Sequence, residues 1–282
     1  MNLAAFDLGF HLAAFVVGLT IGSFLNVCIH RLPKGESIVH PRSRCPHCGR
    51  MIAAYDNVPV LSYLWLRGRC RHCHSRISPF YPLIELLTGL TFLLVYHRWG
   101  ISPPAVKAVL LASALIVLTF TDLRERLLPD RITFPGIAAG FLFALWLPLE
   151  DGTAALLLRL LGGPNLSAVL LSVADALLGA LLGAGLLFAL GEIWYRLRRV
   201  EAMGLGDVKM MGMVGLFLGI KLTVLTLLLG SLLGSLLGGL FLLLAGKDTR
   251  YELPFGTFLG VAALIALFWG PQLVTSYLSL FP

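Results

Sequence analysis

The feature that most constrains this chain is a series of long apolar segments. Eight can be marked, at 8–29, 82–97, 104–122, 132–148, 168–194, 207–220, 222–245 and 256–278. A helical bilayer crossing takes about 17–25 mainly apolar residues. The predicted fold class is therefore an all-α polytopic membrane protein with about eight transmembrane helices. Composition agrees, because 57% of the 282 residues are apolar and only 13% are charged. That charged share is about half the soluble norm, and it excludes disordered, collagen-like and disulfide-rich secreted classes. No Lys or Arg precedes the first apolar segment. A secretory signal wants a positive n-region, so this segment reads as a retained span.

The positions of the basic residues orient these spans. Of 22 Lys and Arg, nine fall in 30–81, three in 123–131, four in 195–209 and two in 246–255. Those are alternate connections. The positive-inside rule places them in the cytoplasm and both termini outside. An odd span count would break the alternation. The net charge of +7 is thus a matter of topology and lipid headgroups, and no nucleic-acid partner is expected. The predicted organisation is a first span (1–30), a cytoplasmic insert (31–81) and a seven-span core (82–282).

The insert carries Cys45-Pro46-His47-Cys48 and Cys70-Arg71-His72-Cys73, two C-x-x-C knuckles 21 residues apart. Four thiolates at this spacing suit tetrahedral zinc. One such knuckle alone would equally suit a thiol redox centre. The second knuckle, and the lack of a βαβ pattern around them, favour the metal. A basic insert of this size with few large apolar residues cannot build much core. The zinc is accordingly read as structural, supplying folding energy. Cys28, inside the first span, reads as a small hydrophobe.

With 15 acidic residues in the chain, each can be weighed singly, because an ionisable group in a span is a functional candidate by default. Asp122 ends the third span, where a helix C-terminus disfavours a carboxylate. Asp207, in Gly204-Leu205-Gly206-Asp207, opens a short span, where a helix N-terminus favours one. Gly204 and Gly206 allow close backbone approach or positive φ. Both aspartates fall at the cytoplasmic boundary and can meet. One ionised and one protonated carboxyl can activate water for peptide hydrolysis. The helix-end placements make Asp122 the more readily protonated partner. Asp130 reads as an N-cap, and Glu192 and Glu201 as salt-bridge partners of nearby arginines. Asp175 reads as interfacial, and Glu85 has no ready structural explanation. On the residues alone, a catalytic pair stands level with a transport or structural role. The alternatives are a zinc-binding transporter and a non-catalytic scaffold.

Five ordered motifs then resemble one family. They are Gly22-Ser23-Phe24-Leu25-Asn26-Val27-Cys28, the two cysteine knuckles, Tyr81-Pro82-Leu83-Ile84-Glu85, Asp122-Leu123 with Leu128-Pro129-Asp130, and Glu201 to Lys209. In this respect the chain is similar to the type IV prepilin peptidases, bacterial intramembrane aspartic proteases. The resemblance implies cleavage of the leader of prepilins or pseudopilins by Asp122 and Asp207. It implies methylation of the new N-terminus with S-adenosylmethionine, in forms that carry the cysteine insert. It implies residence in the bacterial inner membrane, with insert and aspartates on the cytoplasmic side. Gly204, Gly206 and Lys209 become supporting active-site residues. Glu85 and Glu201 become candidates for the substrate or methyl-transfer region. No methyl-donor site can be placed from the sequence. One departure stands in Leu253-Pro254-Phe255-Gly256-Thr257, where Thr257 occupies a position at which the resemblance expects proline.

Overall fold

The computed structural model describes residues 3–149, 151–200, 203–246 and 253–280. Among them there is no β-strand, only two isolated antiparallel bridges. The long helices are α1 (Leu3–Arg31), α3 (Phe80–Trp99), α4 (Pro103–Glu125), α5 (Asp130–Trp146), α7 (Ala168–Arg198), α8 (Leu205–Leu233) and α10 (Phe255–Leu278). The short ones are α2 (Leu61–Trp65), α6 (Thr153–Leu160) and α9 (Gly239–Ala245), the last joined to α8 by a π-turn. Proline and glycine punctuate them as expected. Pro79, Pro129 and Pro254 immediately precede α3, α5 and α10, and Gly100 ends α3 at positive φ.

Among the described residues, six apolar helical runs are long enough to cross a membrane, α1, α3, α4, α7, the stretch 205–245 and α10. The expectation of eight differs in two places. The 132–148 segment is α5, whose 17 residues lie at the lower limit for a crossing. The 207–220 and 222–245 segments form one apolar run interrupted at Gly219, whose φ of 79° and ψ of −174° leave the helical region. Only glycine adopts that conformation without strain.

The chain forms two compact units, Met1–Val117 and Leu118–Pro282, with the division inside α4. In the first, α1 packs on α3 through small residues. A β-carbon on Gly18 would stand 2.7 Å from Phe92 Cβ, and one on Gly22 would stand 2.7 Å from Glu85 Cα. Lipid offers helices no hydrophobic drive to associate, so such close approach supplies the dispersion that holds them. Gly230, Gly234 and Gly238, spaced by four, are further small residues of this kind. Those pack in the second unit, with Gly230 against Leu259 and Gly238 against Leu253.

In the second unit, α7, α8 and α10 form the main packing, and carboxylates finish several helix starts. Asp175, a buried residue of α7, accepts from the N–H groups of Ala154 (2.7 Å) and Gly152 (3.2 Å) at the start of α6. It is therefore a cap in trans and not the interfacial charge the sequence suggested. Asp151 accepts from the Lys221 N–H at 2.9 Å, just past the Gly219 break, and from Thr153. The interruption of the α8 ladder thus exposes a donor that a neighbouring carboxylate takes.

Candidate active site and metal centre

Asp122 lies in the last turn of α4, and Asp207 in the first turn of α8. Both are buried, at 6% and 9% exposure. The third element of the site is the start of α10, which the sequence did not assign to it. Asp122 Oδ2 accepts from the Thr257 N–H at 2.6 Å and from Thr257 Oγ1 at 2.9 Å. Thr257 stands in the first turn of α10, where the N–H has no partner within the helix. Asp122 therefore caps α10 from outside. Its position at the C-terminus of its own helix, unfavourable by itself, is offset by the positive end of a second helix.

Gly256 lies between the two carboxylates. A β-carbon there would stand 2.7 Å from Asp207 Oδ1 and 3.1 Å from Asp122 Oδ2. The two oxygens are thus no farther apart than those two distances together. The same β-carbon would meet Leu128 Cδ1 at 3.0 Å. Glycine keeps this space open. Asp207 Oδ1 is buried and has no hydrogen-bond partner among the described residues, and Thr119 Oγ1, one turn before Asp122, is in the same condition. Buried acceptors are nearly always satisfied, so an orphan oxygen beside an open gap points to an absent ligand or water.

The supporting residues separate. Gly206 is required by packing, since its β-carbon would stand 3.0 Å from Leu128 Cβ. Gly204 is the N-cap of α8 with φ −75° and ψ 142°, so positive φ is not its role. Lys209 is directed away from the pair. Its Nζ donates to both oxygens of Asp130 at 2.7 and 2.9 Å and lies over the Phe134 ring. Asp130 is accordingly the first residue of α5 and an ion-pair partner, with Pro129 in the cap position. Glu201 lies outside the described residues.

In the first unit the cysteines meet as the spacing predicts. Bridges Arg44–Met51 and Arg69–Arg76 close two matching hairpin turns. Gly49 N–H bonds Cys45 O in one, and His74 N–H bonds Cys70 O in the other. The Sγ atoms of Cys45, Cys48, Cys70 and Cys73 all lie within 4.8 Å of one another, and those of Cys45 and Cys73 are 3.8 Å apart. Four sulfurs bound at ~2.3 Å to one tetrahedral ion stand ~3.8 Å apart, so the donor set fits such an ion. Burial pushes the Cys45 thiol up, but N–H groups of Cys48 and His47 and the neighbouring thiols outweigh it and bring it to about 6. His72 bonds Arg50 at 3.2 Å, consistent with its not being a ligand.

Two carboxylates anchor the insert. Asp56 accepts from Arg71 Nε at 2.8 Å and from its NH2 group at 2.5 Å. That guanidinium, set between the cysteines of the second knuckle, holds the Asp56 carboxyl below the usual carboxylate range. Glu85, buried at the first turns of α3, accepts from the Val60 N–H at 2.7 Å. Val60 has φ 60° and ψ −50°, unusual for a β-branched residue. Glu85 thus fastens the insert to the helix that follows it. Asn26 of α1 donates to Tyr81 O at 3.0 Å and fixes the neighbouring turn.

Comparison with known proteins identifies the family. Residues 16–99 match the bacterial peptidase A24 N-terminal domain, and residues 109–239 match the type IV leader peptidase family. A prepilin leader peptidase/N-methyltransferase of Aeromonas hydrophila is 38% identical, over 95% of this chain and 93% of its own. Proteins of the same name from Stutzerimonas stutzeri and Pseudomonas aeruginosa are 35% and 34% identical, each over 98% of this chain and 96% of their own. No solved structure matches the chain. Likeness of that degree, over nearly the full length of each relative, means that the chain belongs to the type IV leader peptidase family.

Proposed function

We propose that this chain is a membrane-embedded aspartic endopeptidase that removes the leader of prepilin-like proteins, then N-methylates the new N-terminus. The observation that carries the peptidase reading is the Asp122–Asp207 pair, buried around a gap that Gly256 keeps open. Family membership supports it, since the relatives carry both activities in their name.

Asp122 acts as the base and Asp207 carries the proton. This reverses the assignment that helix ends alone suggest. Two donors on Asp122 Oδ2 favour a charge there. An ionised Asp207 would leave a buried, unpartnered oxygen. Water attacks the scissile carbonyl carbon while Asp122 takes a water proton and Asp207 gives its proton to the carbonyl oxygen. The tetrahedral diol then collapses and the C–N bond breaks. The leaving nitrogen takes the proton from Asp122, and Asp207 recovers one from a diol hydroxyl. Both carboxyls return to their starting states.

The Lys and Arg of the alternate connections support a cytoplasmic location at the inner membrane for the insert and for the pair. There a substrate's apolar helix lies in the bilayer and its leader at the surface. Cys45, Cys48, Cys70 and Cys73 would hold zinc as a structural ion that folds the insert. The domain division is then a first span, a zinc insert through residue 81 as the methyltransferase part, and the peptidase core beyond it. S-adenosylmethionine is the methyl donor that the relatives' name implies. Nothing in the geometry of the described residues marks a site for it.

The test uses purified full-length protein, a synthetic prepilin segment with its basic leader, and S-adenosylmethionine, with product masses read directly. A shortened and methylated product is expected. No cleavage by the wild type, or undiminished cleavage by Asp207→Asn, overturns the peptidase reading.

A further inference from the structure

Asp122 is held by a residue that the sequence marks only as a departure. Thr257 Oγ1 lies 2.9 Å from Asp122 Oδ2 and 3.3 Å from Thr119 O, and the Thr257 N–H lies 2.6 Å from the same Oδ2. The threonine is buried, at 8% exposure. Proline at this position, tolerated in a first helical turn, would supply neither donor. The backbone contact therefore needs a residue other than proline here, and the hydroxyl contact needs the threonine or serine hydroxyl.

A carboxylate turns about its last bond with little preference. Left alone, Asp122 could present either oxygen to the gap beside Gly256. Two donors on Oδ2 fix which oxygen lies beside Gly256 and hold the carboxylate in that orientation. Charge-assisted bonds of this kind are short and strong. They also cost no rearrangement during reaction, because the backbone of α10 already fixes one of them.

We propose that Thr257 is a positioning residue that fixes the orientation of the Asp122 carboxylate for the proton transfer. This rests on the aspartic-peptidase reading above. Thr257 touches Asp122 and has no part in bond making itself. Losing its hydroxyl removes one of two donors and leaves the backbone bond in place, so the effect is partial.

The experiment compares Thr257→Val, Thr257→Ser and Asp122→Asn with wild type, each purified full length and given the same synthetic prepilin segment. Thr257→Val keeps the shape and loses the hydroxyl. A fall of about tenfold in kcat is expected, the scale of one hydrogen bond to a charged group. KM should be unchanged, because Thr257 is buried and acts through Asp122. Thr257→Ser should restore kcat. Wild-type kcat in Thr257→Val, or equal loss in Thr257→Ser, overturns the proposal in favour of packing alone. If Thr257→Val does not fold, Thr257→Ala against Thr257→Ser gives the same contrast. Asp122→Asn separates the two levels: activity retained in that variant defeats the peptidase reading itself, whatever Thr257 does.

Discussion

The starts of α6 and α10 are built by the same device with opposite outcomes. Each has a buried aspartate from a distant helix accepting first-turn donors, Asp175 at α6 and Asp122 at α10. At α6 the account closes. Asp175 takes two N–H groups, and Asp151 beside it takes Thr153 and Lys221. At α10 it does not close. Asp122 is satisfied, but Asp207 across the gap keeps a buried oxygen without a partner among the described residues. A buried carboxylate in a span is therefore not informative by itself. An unfinished set of hydrogen bonds next to open space separates chemistry from capping.

The sharpest way to break this comparison is to neutralise both aspartates in turn. Asp122→Asn or Asp207→Asn should lower cleavage by roughly 10²–10⁴-fold, the scale of a lost general acid or base. Asp175→Asn should keep cleavage within about twofold. It should instead weaken the α6 start, with a lower Tm and a cost of roughly 0.5–2 kcal/mol, that of a lost cap. Product masses and a thermal melt check the two arms. If Asp175→Asn fell as far in activity as Asp122→Asn, the distinction between the ends would fail.

Two glycines sharpen it next. A β-carbon at Gly256 enters the gap between the carboxylates, and one at Gly219 would stand 2.6 Å from Asp151 Oδ2. Gly256→Ala should lose about 100-fold in kcat, since small misplacements at reacting groups carry that penalty, with the fold retained. Gly219→Ala also meets a φ of 79°. It should cost stability, roughly 1–2 kcal/mol for a non-glycine in that region, and spare kcat. Paired melts and single-turnover rates decide. Equal behaviour of the two variants would contradict the assignment.

A further step lies outside both helix starts. Cys45→Ser with Cys70→Ser should abolish stoichiometric zinc and leave the 31–79 segment open to protease, because metal contributes about 10–16 kcal/mol to folding of small zinc modules. Cleavage should persist within a few-fold while methylation is lost. Metal analysis, limited proteolysis and product mass together test this. Loss of cleavage equal to that of Asp207→Asn would mean the insert takes part in the peptidase site.

These cases also show what could be read from the chain alone. The cysteine centre was legible because its geometry is local. Each knuckle closes within a few residues, and a spacing rule captures it. The aspartates were legible as scarce charges at segment ends. Their partners were not. Thr257 meets Asp122 across 135 residues of chain, and no periodicity reports which helix start faces which. Gly256 carries no role in the sequence beyond its place in Leu253–Thr257, and its role appears only when a β-carbon is placed there. The count of eight spans is not confirmed, for a related reason. Apolar length does not distinguish two crossings from one run bent at Gly219, and it cannot report that Asp151 caps the bend. Sequence proximity to the pair also does not report where a charge is bonded. Lys209 sits two residues from Asp207 in sequence, yet its side chain serves another contact.

That contact gives the smallest expected effect. Lys209 bonds Asp130 at the surface, with side chains 32% and 54% exposed. Water screens such a pair, and ordering two side chains costs entropy that offsets most of the attraction. Lys209→Met keeps the aliphatic stem over Phe134 and removes only the charge. Stability should change by at most about 1 kcal/mol, and kcat by less than about twofold, because the ammonium points to α5 and away from the gap. Raising salt should erase even the stability difference, since exposed charges are screened within roughly 10 Å at 0.1 M. Steady-state cleavage by Lys209→Met at low and high salt makes the measurement. A salt-independent loss of tenfold or more would place Lys209 in the catalytic loop after all, and the boundary of the site would then have to extend along α8 past Asp207.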